Sequence, residues 1–283
     1  MRPALWPRVF SMTVSIDDES GGVPAAGEKA AELRALHVPG RPLVVPNVWD
    51  AASARAVEAA GFPVIATGSA AVASVLGYED GEETPAGEML AAVARISRSV
   101  SLPVTADMER GYRLEPAELA GRLAAAGACG CNLEDSDPRT GAPVGADEQA
   151  GLLRAVRAAA VAAGTDLVIN ARVDVFLNGT GGDEERLEEA VRRGNLYLEA
   201  GADCVYPIFA ADAGIIRELV RRIDGPVNVL FRPGTPSLAE LADLGVARVS
   251  FGHGLHRVVS GHTDRMLAAI RNGESPYTAS ATS

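Results

Sequence analysis

The chain has 283 residues, 47% of them hydrophobic, which suits one large core of barrel size with short extensions. Its net charge of −11 argues against a polyanionic partner such as nucleic acid. No apolar run approaches the roughly 18 residues of a membrane helix, so no membrane partner is expected either. Cys129, Cys131 and Cys204 lack CxxC spacing and read as packing residues rather than a disulfide framework or a zinc site. The single lysine, Lys29, precedes the first strand, so neither a Schiff-base amine inside a barrel nor a Walker loop is available.

Residues 1–26 mix Pro, Gly, Ser and acidic side chains without periodicity and read as a flexible arm. They contain no continuous apolar segment of about 7–15 residues, so a cytoplasmic protein is expected. Eight short apolar runs follow, each trailed by a helix-like stretch: PLVVPN from 42, PVIATG from 63, LPVTAD from 102, CGCNLED from 129, LVINAR from 167, DCVYP from 203, PVNVL from 226 and ARVSFG from 247. Strands alternating with amphipathic helices build a parallel sheet, and eight such units predict a single-domain (β/α)8 TIM barrel over 27–272. Residues 273–283 read as a tail. In this architecture the C-terminal strand ends carry the chemistry.

The first strand is expected over Leu43–Pro46, with Asn47-Val-Trp-Asp50 turning into a helix near whose start Asp50 sits. The second ends at Thr67-Gly68-Ser69, where a glycine either admits a ligand to backbone N–H groups or only makes a tight turn. In the excursion that follows, Thr84 reads as a helix N-cap with Pro85 at the first helical position. Asp80 lies several residues ahead of that cap, so capping does not account for it. The third strand ends at Asp107, and Glu109 shares its face if the strand continues. On the fourth, alternation puts Asn132 and Glu134 on one face and Asp135 on the other. Mg²⁺ is served by one or two carboxylates and several waters, so Asp107 and Glu134 suffice chemically; spacing alone leaves rim salt bridges to Arg110 or Arg139 equally open. Arg172 ends the fifth strand, where a buried guanidinium needs a partner: Glu134, a substrate carboxylate, or both. His253 is an acid–base candidate by position, and His256 reads as structural.

Taken in order, Pro46-Asn47-Val-Trp-Asp50, Gly68-Ser69, Gly77-Tyr-Glu-Asp80, Ala106-Asp107 with Gly111-Tyr112, Leu133-Glu134-Asp135 and Asn170-Ala-Arg172-Val-Asp174 resemble the isocitrate lyase/phosphoenolpyruvate mutase superfamily. The likeness spans about residues 40–260. It implies Mg²⁺, or Mn²⁺ in its place, held by Asp107 and Glu134 with Asp80 nearby. It also implies a small carboxylate substrate gripped by the Gly68 and Ser69 amides, Arg172 and Asn228, with Arg172, Asp80 and Glu109 as catalytic residues. A homo-oligomer, a tetramer with an exchanged C-terminal helix near 254–272, is implied as well. The sequence also departs from that pattern. The Lys-(Lys/Arg)-Cys-Gly-His segment that isocitrate and methylisocitrate lyases carry after the fourth strand is Ser136-Asp-Pro-Arg-Thr-Gly-Ala-Pro-Val-Gly145 here, and the Lys and Asn of the phosphonomutase loop are absent too. Thr105 replaces an aspartate that many members carry, and Tyr206-Pro207-Ile208 stands where lyases place an acid after the sixth strand.

The expectation is a metal-dependent lyase or decarboxylase that acts on a small 2-oxo or 2-hydroxy acid through an enolate. Phosphorus–carbon chemistry (a phosphonomutase or phosphonopyruvate hydrolase) is the second reading. A non-catalytic barrel that binds a 2-oxo acid is the third, and the 136–145 segment is the expected lid.

Overall fold

The computed structural model describes residues 26–277. Its strands are β1 (Leu43–Val45), β2 (Asn47–Val48), β3 (Ile65–Thr67), β4 (Val104–Asp107), β5 (Gly130–Glu134), β6 (Val168–Val173), β7 (Cys204–Pro207), β8 (Asn228–Leu230) and β9 (Arg248–Ser250). All pairings are parallel, in two runs ordered β2-β3-β4-β5-β6-β7 and β1-β9-β8. Two links close the ring. A parallel bridge joins Val205 of β7 to Val227, just before β8. β1 and β2 are one segment interrupted at Pro46, which has no N–H to offer a ladder. Nine short strands therefore make eight staves, a (β/α)8 barrel.

Two expectations about element boundaries change. Asn47 and Val48 are not turn residues, because they pair with Ala66 and Thr67 as a strand. Thr84 does not cap the helix Ala86–Ser97; Pro85 occupies the N-cap, and the Thr84 hydroxyl is buried without a partner. Asp50, expected near a helix start, is the N-cap, its Oδ1 accepting the Ser53 N–H at 2.7 Å. The arm expected over 1–26 lies outside the described residues except at Ala26, where the helix Ala26–Ala35 begins.

Strand alternation divides the core. Outward residues Cys131, Leu133, Ile169, Ala171, Val173 and Val205 pack under the surrounding helices against Leu119, Leu123, Leu153 and Val156. Each such leucine contributes about 2 kcal/mol by leaving water. At the N-terminal end of the barrel, Ala30 and Leu33 of the first helix close the interior against Leu43, Val45, Val64, Ala66, Cys129 and Val168. That plug sets the identity of Gly130: a Cβ there would sit 2.7 Å from a Leu33 methyl and 3.0 Å from Thr105 Oγ1. All three cysteines are buried and unpaired, in keeping with packing roles. Among the described residues no helix is long and apolar enough to cross a membrane.

The interior toward the C-terminal end is polar. Asn132, Glu134, Asn170, Arg172 and Tyr206 alternate with the outward residues on three adjacent strands and turn inward, where Asn170 Nδ2 donates to Asn132 Oδ1 at 2.8 Å. The helix Gly254–Arg271 closes the described chain and buries none of its residues.

Candidate active site

Asp107 ends β4 and is held from β3 and β5. Its Oδ2 accepts the Ser69 N–H and the Ser69 hydroxyl, each at 3.0 Å, and its Oδ1 accepts Asn132 Nδ2 at 3.3 Å. Its own N–H donates to Thr67 Oγ1 at 2.9 Å. Asp80 reaches the same serine from the solvent-open side of the mouth. Partial desolvation raises the Asp80 pKa, and the charge of Asp107 adds to that shift.

Glu134 ends β5 directly across from Arg172 on β6. Arg172 Nη1 lies against Glu134 Oε2 as an ion pair, yet no donor is aligned to make a hydrogen bond to that buried oxygen. Burial raises the Glu134 pKa well above the usual carboxyl range; Arg172 opposes the shift, and the charges of Asp174, Asp107 and Glu109 reinforce it. Arg172 is also locked from behind, with Nε donating to Asp174 Oδ1 at 2.6 Å and Nη2 to Oδ2 at 3.0 Å. Burial works against its charge, but Glu134 and Asp174 outweigh it and the guanidinium stays protonated. The rim salt bridges to Arg110 and Arg139 do not form. Arg110 pairs with Glu148, and Arg139 with Asp137.

A support layer went unread in the sequence. Asp174 is fully buried, accepts the Ser136 hydroxyl at 2.6 Å and donates its N–H to Asp135 Oδ1 at 2.8 Å. Asp135 in turn takes Arg193 Nη1 at 2.8 Å and the Tyr197 hydroxyl at 2.7 Å. Its burial raises its pKa despite those donors. The available signal was alternation, which turns Asp135 toward the helices, together with Arg193 and Tyr197 one helical turn apart.

β4 stops at Asp107, so Glu109 does not share its face by strand continuation. A turn carries Glu109 to the mouth with a φ of 46°. There it accepts the Tyr112 hydroxyl at 2.5 Å and the Glu82 N–H at 2.7 Å, while Glu82 accepts the Tyr112 N–H at 2.7 Å. Burial pushes the Glu109 carboxyl up to about 7, opposed by Tyr112 and assisted by Asp80 and Asp107. Glu82, Glu109, Tyr112 and Arg113 all hold positive φ values, a concentration of backbone strain of the kind that gathers at functional sites.

One expected ligand contact is corrected. The Gly68 N–H donates to the Val48 carbonyl at 3.2 Å, and its φ of −127° is ordinary extended backbone, so its amide serves the barrel ladder. Asn228 is fully buried at the start of β8, where its Oδ1 accepts the Ser250 hydroxyl at 3.3 Å and its Nδ2 finds no partner among the described residues. His253 is exposed at the start of the last helix, and His256 packs edge-on against Trp49 at 5.0 Å.

Among the described residues no three His, Cys, Asp or Glu side chains form a ready metal cage. Of the expected trio Asp80, Asp107 and Glu134, Asp107 accepts from Ser69 and Asn132, and Glu134 pairs with Arg172. The donor set still fits a hard cation that keeps most of its waters. Four carboxylates (Asp80, Asp107, Glu109 and Glu134) lie within electrostatic reach of one another, and Glu134 Oε2 is buried without a donor.

Beside the rim, a cavity of about 250 Å³ is lined by Glu82, Arg110, Arg113, Asp137, Pro138 and Arg139. The 136–145 segment forms one of its walls and folds back on itself through a Ser136–Pro143 bridge and the Asp137 N–H to Ala142 carbonyl bond at 2.9 Å. A hollow of about 290 Å³ at the opposite end, near Ala35 and Phe62, holds no carboxylate and is unrelated to this chemistry.

A closed (β/α)8 barrel with acids and an anchored arginine at its C-terminal rim defines a class, the barrel enzymes of small carboxylates. The phosphoenolpyruvate phosphomutase family model matches residues 33–271, and the chain belongs to that family. The uncharacterized protein Rv1998c of Mycobacterium tuberculosis is 36% identical over 225 residues, covering 77% of this chain and 80% of its own. A putative phosphonomutase from Burkholderia cenocepacia superposes with a TM-score of 0.81 at 43% identity, covering 85% of this chain and 99% of its own. A probable 2-methylisocitrate lyase of Corynebacterium glutamicum is 28% identical, covering 88% of this chain and 82% of its own. The superfamily comprises lyases and mutases of small carboxylates.

Proposed function

We propose that this protein is a divalent-cation-dependent lyase or decarboxylase that breaks a carbon–carbon bond in a small 2-oxo or 2-hydroxy acid. The observation that carries this reading is Arg172, clamped by Asp174 and Glu134 at a strand end within electrostatic reach of Asp107 and Asp80. Asp107 and Glu134 would hold Mg²⁺ or Mn²⁺, largely through waters, with Asp80 adjacent. The ion would supply Lewis-acid polarisation of a substrate oxygen.

Arg172 Nη1 and Nη2 present two parallel donors, which suits a carboxylate or the adjoining oxygen. The Ser69 N–H, which here donates to Asp107, would add a backbone donor to the same oxygens. Bond cleavage places negative charge on the former carbonyl oxygen as an enolate. Fixed donors favour that state over the ground state because their dipoles are already oriented. Glu109, bonded to Tyr112 and with its carboxyl pushed up by burial, would hold a proton and return it to carbon. The 136–145 segment is the lid that excludes water during this step.

The experiment is turnover of oxaloacetate, 2-alkylmalates and phosphonopyruvate with and without Mg²⁺ or Mn²⁺. Absence of cation-dependent turnover across that panel refutes the proposal. A second reading, phosphorus–carbon chemistry, draws on the cavity lined by Arg110, Arg113 and Arg139, three guanidinium groups of the kind that suit a phosphonate. Phosphorus NMR that shows a phosphonate converted would favour it.

The helix Gly254–Arg271 exposes Leu255, Val258, Val259, Leu267 and Ile270. We place this face against a second copy in a homo-oligomer, a tetramer by resemblance; monomeric protein in light scattering would refute that. Three buried, unpaired cysteines fit a reducing compartment, here the cytoplasm.

A further inference from the structure

The barrel interior carries a cation that the proposed chemistry does not use. Arg248 opens β9, and its partners across the sheet are Asn228 on β8 and Leu43 on β1. Val249 packs outward with Ile216 and Leu241, whereas Ser250 reaches inward to Asn228 Oδ1 at 3.3 Å. Alternation therefore turns Arg248, two residues before Ser250, into the barrel.

The Arg248 side chain is enclosed, with 1% of the residue exposed. Its Nε and Nη1 have no hydrogen-bond partner, and neither does Nδ2 of the fully buried Asn228. Among the described residues no carboxylate forms an ion pair with the guanidinium. Asp107 is close enough for its charge to be felt, but it is already engaged by Ser69 and Asn132.

An unneutralised guanidinium in a protein interior is strongly unfavourable. Three donor nitrogens, on facing residues of strands about 4.8 Å apart, need an acceptor. Asn170 Oδ1 is the orphaned acceptor in the same interior, and a neutral amide oxygen leaves the charge in place. Water has the same shortcoming. A monovalent anion satisfies the donors and the charge together, and the enclosure keeps it small.

We infer that Arg248 and Asn228 form a binding site for a small monovalent anion, of halide or formate size, inside the barrel beneath the catalytic rim. The inference stands independently of the reaction proposed above.

The test is thermal unfolding of the intact protein at constant ionic strength, with bromide replacing gluconate. The wild-type Tm should rise with the logarithm of bromide once bromide exceeds its dissociation constant, by roughly 5 °C or more at a hundredfold excess over that constant. Arg248→Met, which removes the charge but keeps the length, should fold and show no bromide-specific rise. If it fails to fold, Asn228→Ala carries the comparison and should raise the bromide dissociation constant at least about tenfold, the share of one hydrogen bond to a charge. Bromide-soaked crystals should show an anomalous peak between the two side chains. A wild-type Tm that follows ionic strength alone overturns the inference, as does an unchanged bromide response in the variant or a soaked crystal without the peak.

Discussion

Replacing Asp174 with asparagine keeps the shape of the side chain and removes the charge that holds Arg172. Asp174 is fully buried and takes two bonds from Arg172, at 2.6 and 3.0 Å, and one from Ser136 at 2.6 Å. An asparagine offers one oxygen, and its NH₂ would face a donor. Breaking a buried ion pair from one side costs about 3–5 kcal/mol. Glu134 stays beside the guanidinium and offsets part of this, so a loss near 3 kcal/mol is expected in urea unfolding. Arg172, no longer fixed from behind, should swing toward Glu134 and lose its two-pronged presentation to ligand. Oxalate binding, measured by calorimetry with Mg²⁺ present, should weaken at least about tenfold, the share of one charge-assisted bond. The double variant Arg172→Met/Asp174→Asn should lose less than the sum of its singles, with a coupling of about 0.5–3 kcal/mol. If Asp174→Asn lies within about 1 kcal/mol of wild type and binds oxalate normally, Asp174 does not position Arg172 and the account of the site is wrong.

Asp107→Ala should abolish cation-dependent turnover while circular dichroism shows an intact fold, at a stability loss of about 1–3 kcal/mol for the unpaired Ser69 N–H; an active variant refutes the assignment. Arg172→Lys should lose most activity, because a point charge cannot reproduce the fork, and near-wild-type carboxylate affinity would contradict that. His37 is buried, with Nδ1 2.8 Å from the Leu33 carbonyl; burial first and the Arg248 charge second lower its pKa to about 4. Between pH 6.5 and 4 the unfolded chain therefore binds a proton that the folded chain refuses, so stability falls as pH falls through that window, by about 3 kcal/mol in total. His37→Leu should flatten that part of the stability–pH curve, and an identical slope in the variant rules His37 out as the cause. Gly130→Ala should cost about 1–3 kcal/mol in unfolding experiments, since its methyl group enters the space of Leu33 and Thr105; a neutral outcome would show that the plug helix yields.

What could be read from the sequence follows from how each contact is encoded. Asp107, Glu134 and Arg172 were legible because strand ends in a barrel converge on one rim whatever lies between them. The facing of Glu134 and Arg172 is a register fact that two adjacent apolar runs already imply. Asp174 and Arg193 were not legible as supports, since Arg193 meets Asp135 across 58 residues of chain and only packing brings the helix to that strand. Gly68 failed for a local reason: an amide at a strand end is free only if the neighbouring strand has stopped, and β2 continues to Val48.

Arg248 is the instructive case, because its signal lies inside the run ARVSFG from 247, which otherwise reads only as a buried strand. Alternation along Arg248-Val-Ser250 puts the arginine and the serine on one face and the valine on the other. With Val249 in the outer layer, the guanidinium has only the barrel interior to enter. The two inward arginines then differ in kind. Arg172 sits between two carboxylates and can lend its outer N–H groups to a substrate without being left bare, whereas Arg248 pairs with none among the described residues and depends on an ion from solution. The first suits turnover, where ligands come and go against a charge that stays balanced. The second suits permanence, where the bound ion becomes part of the interior on which the rim stands.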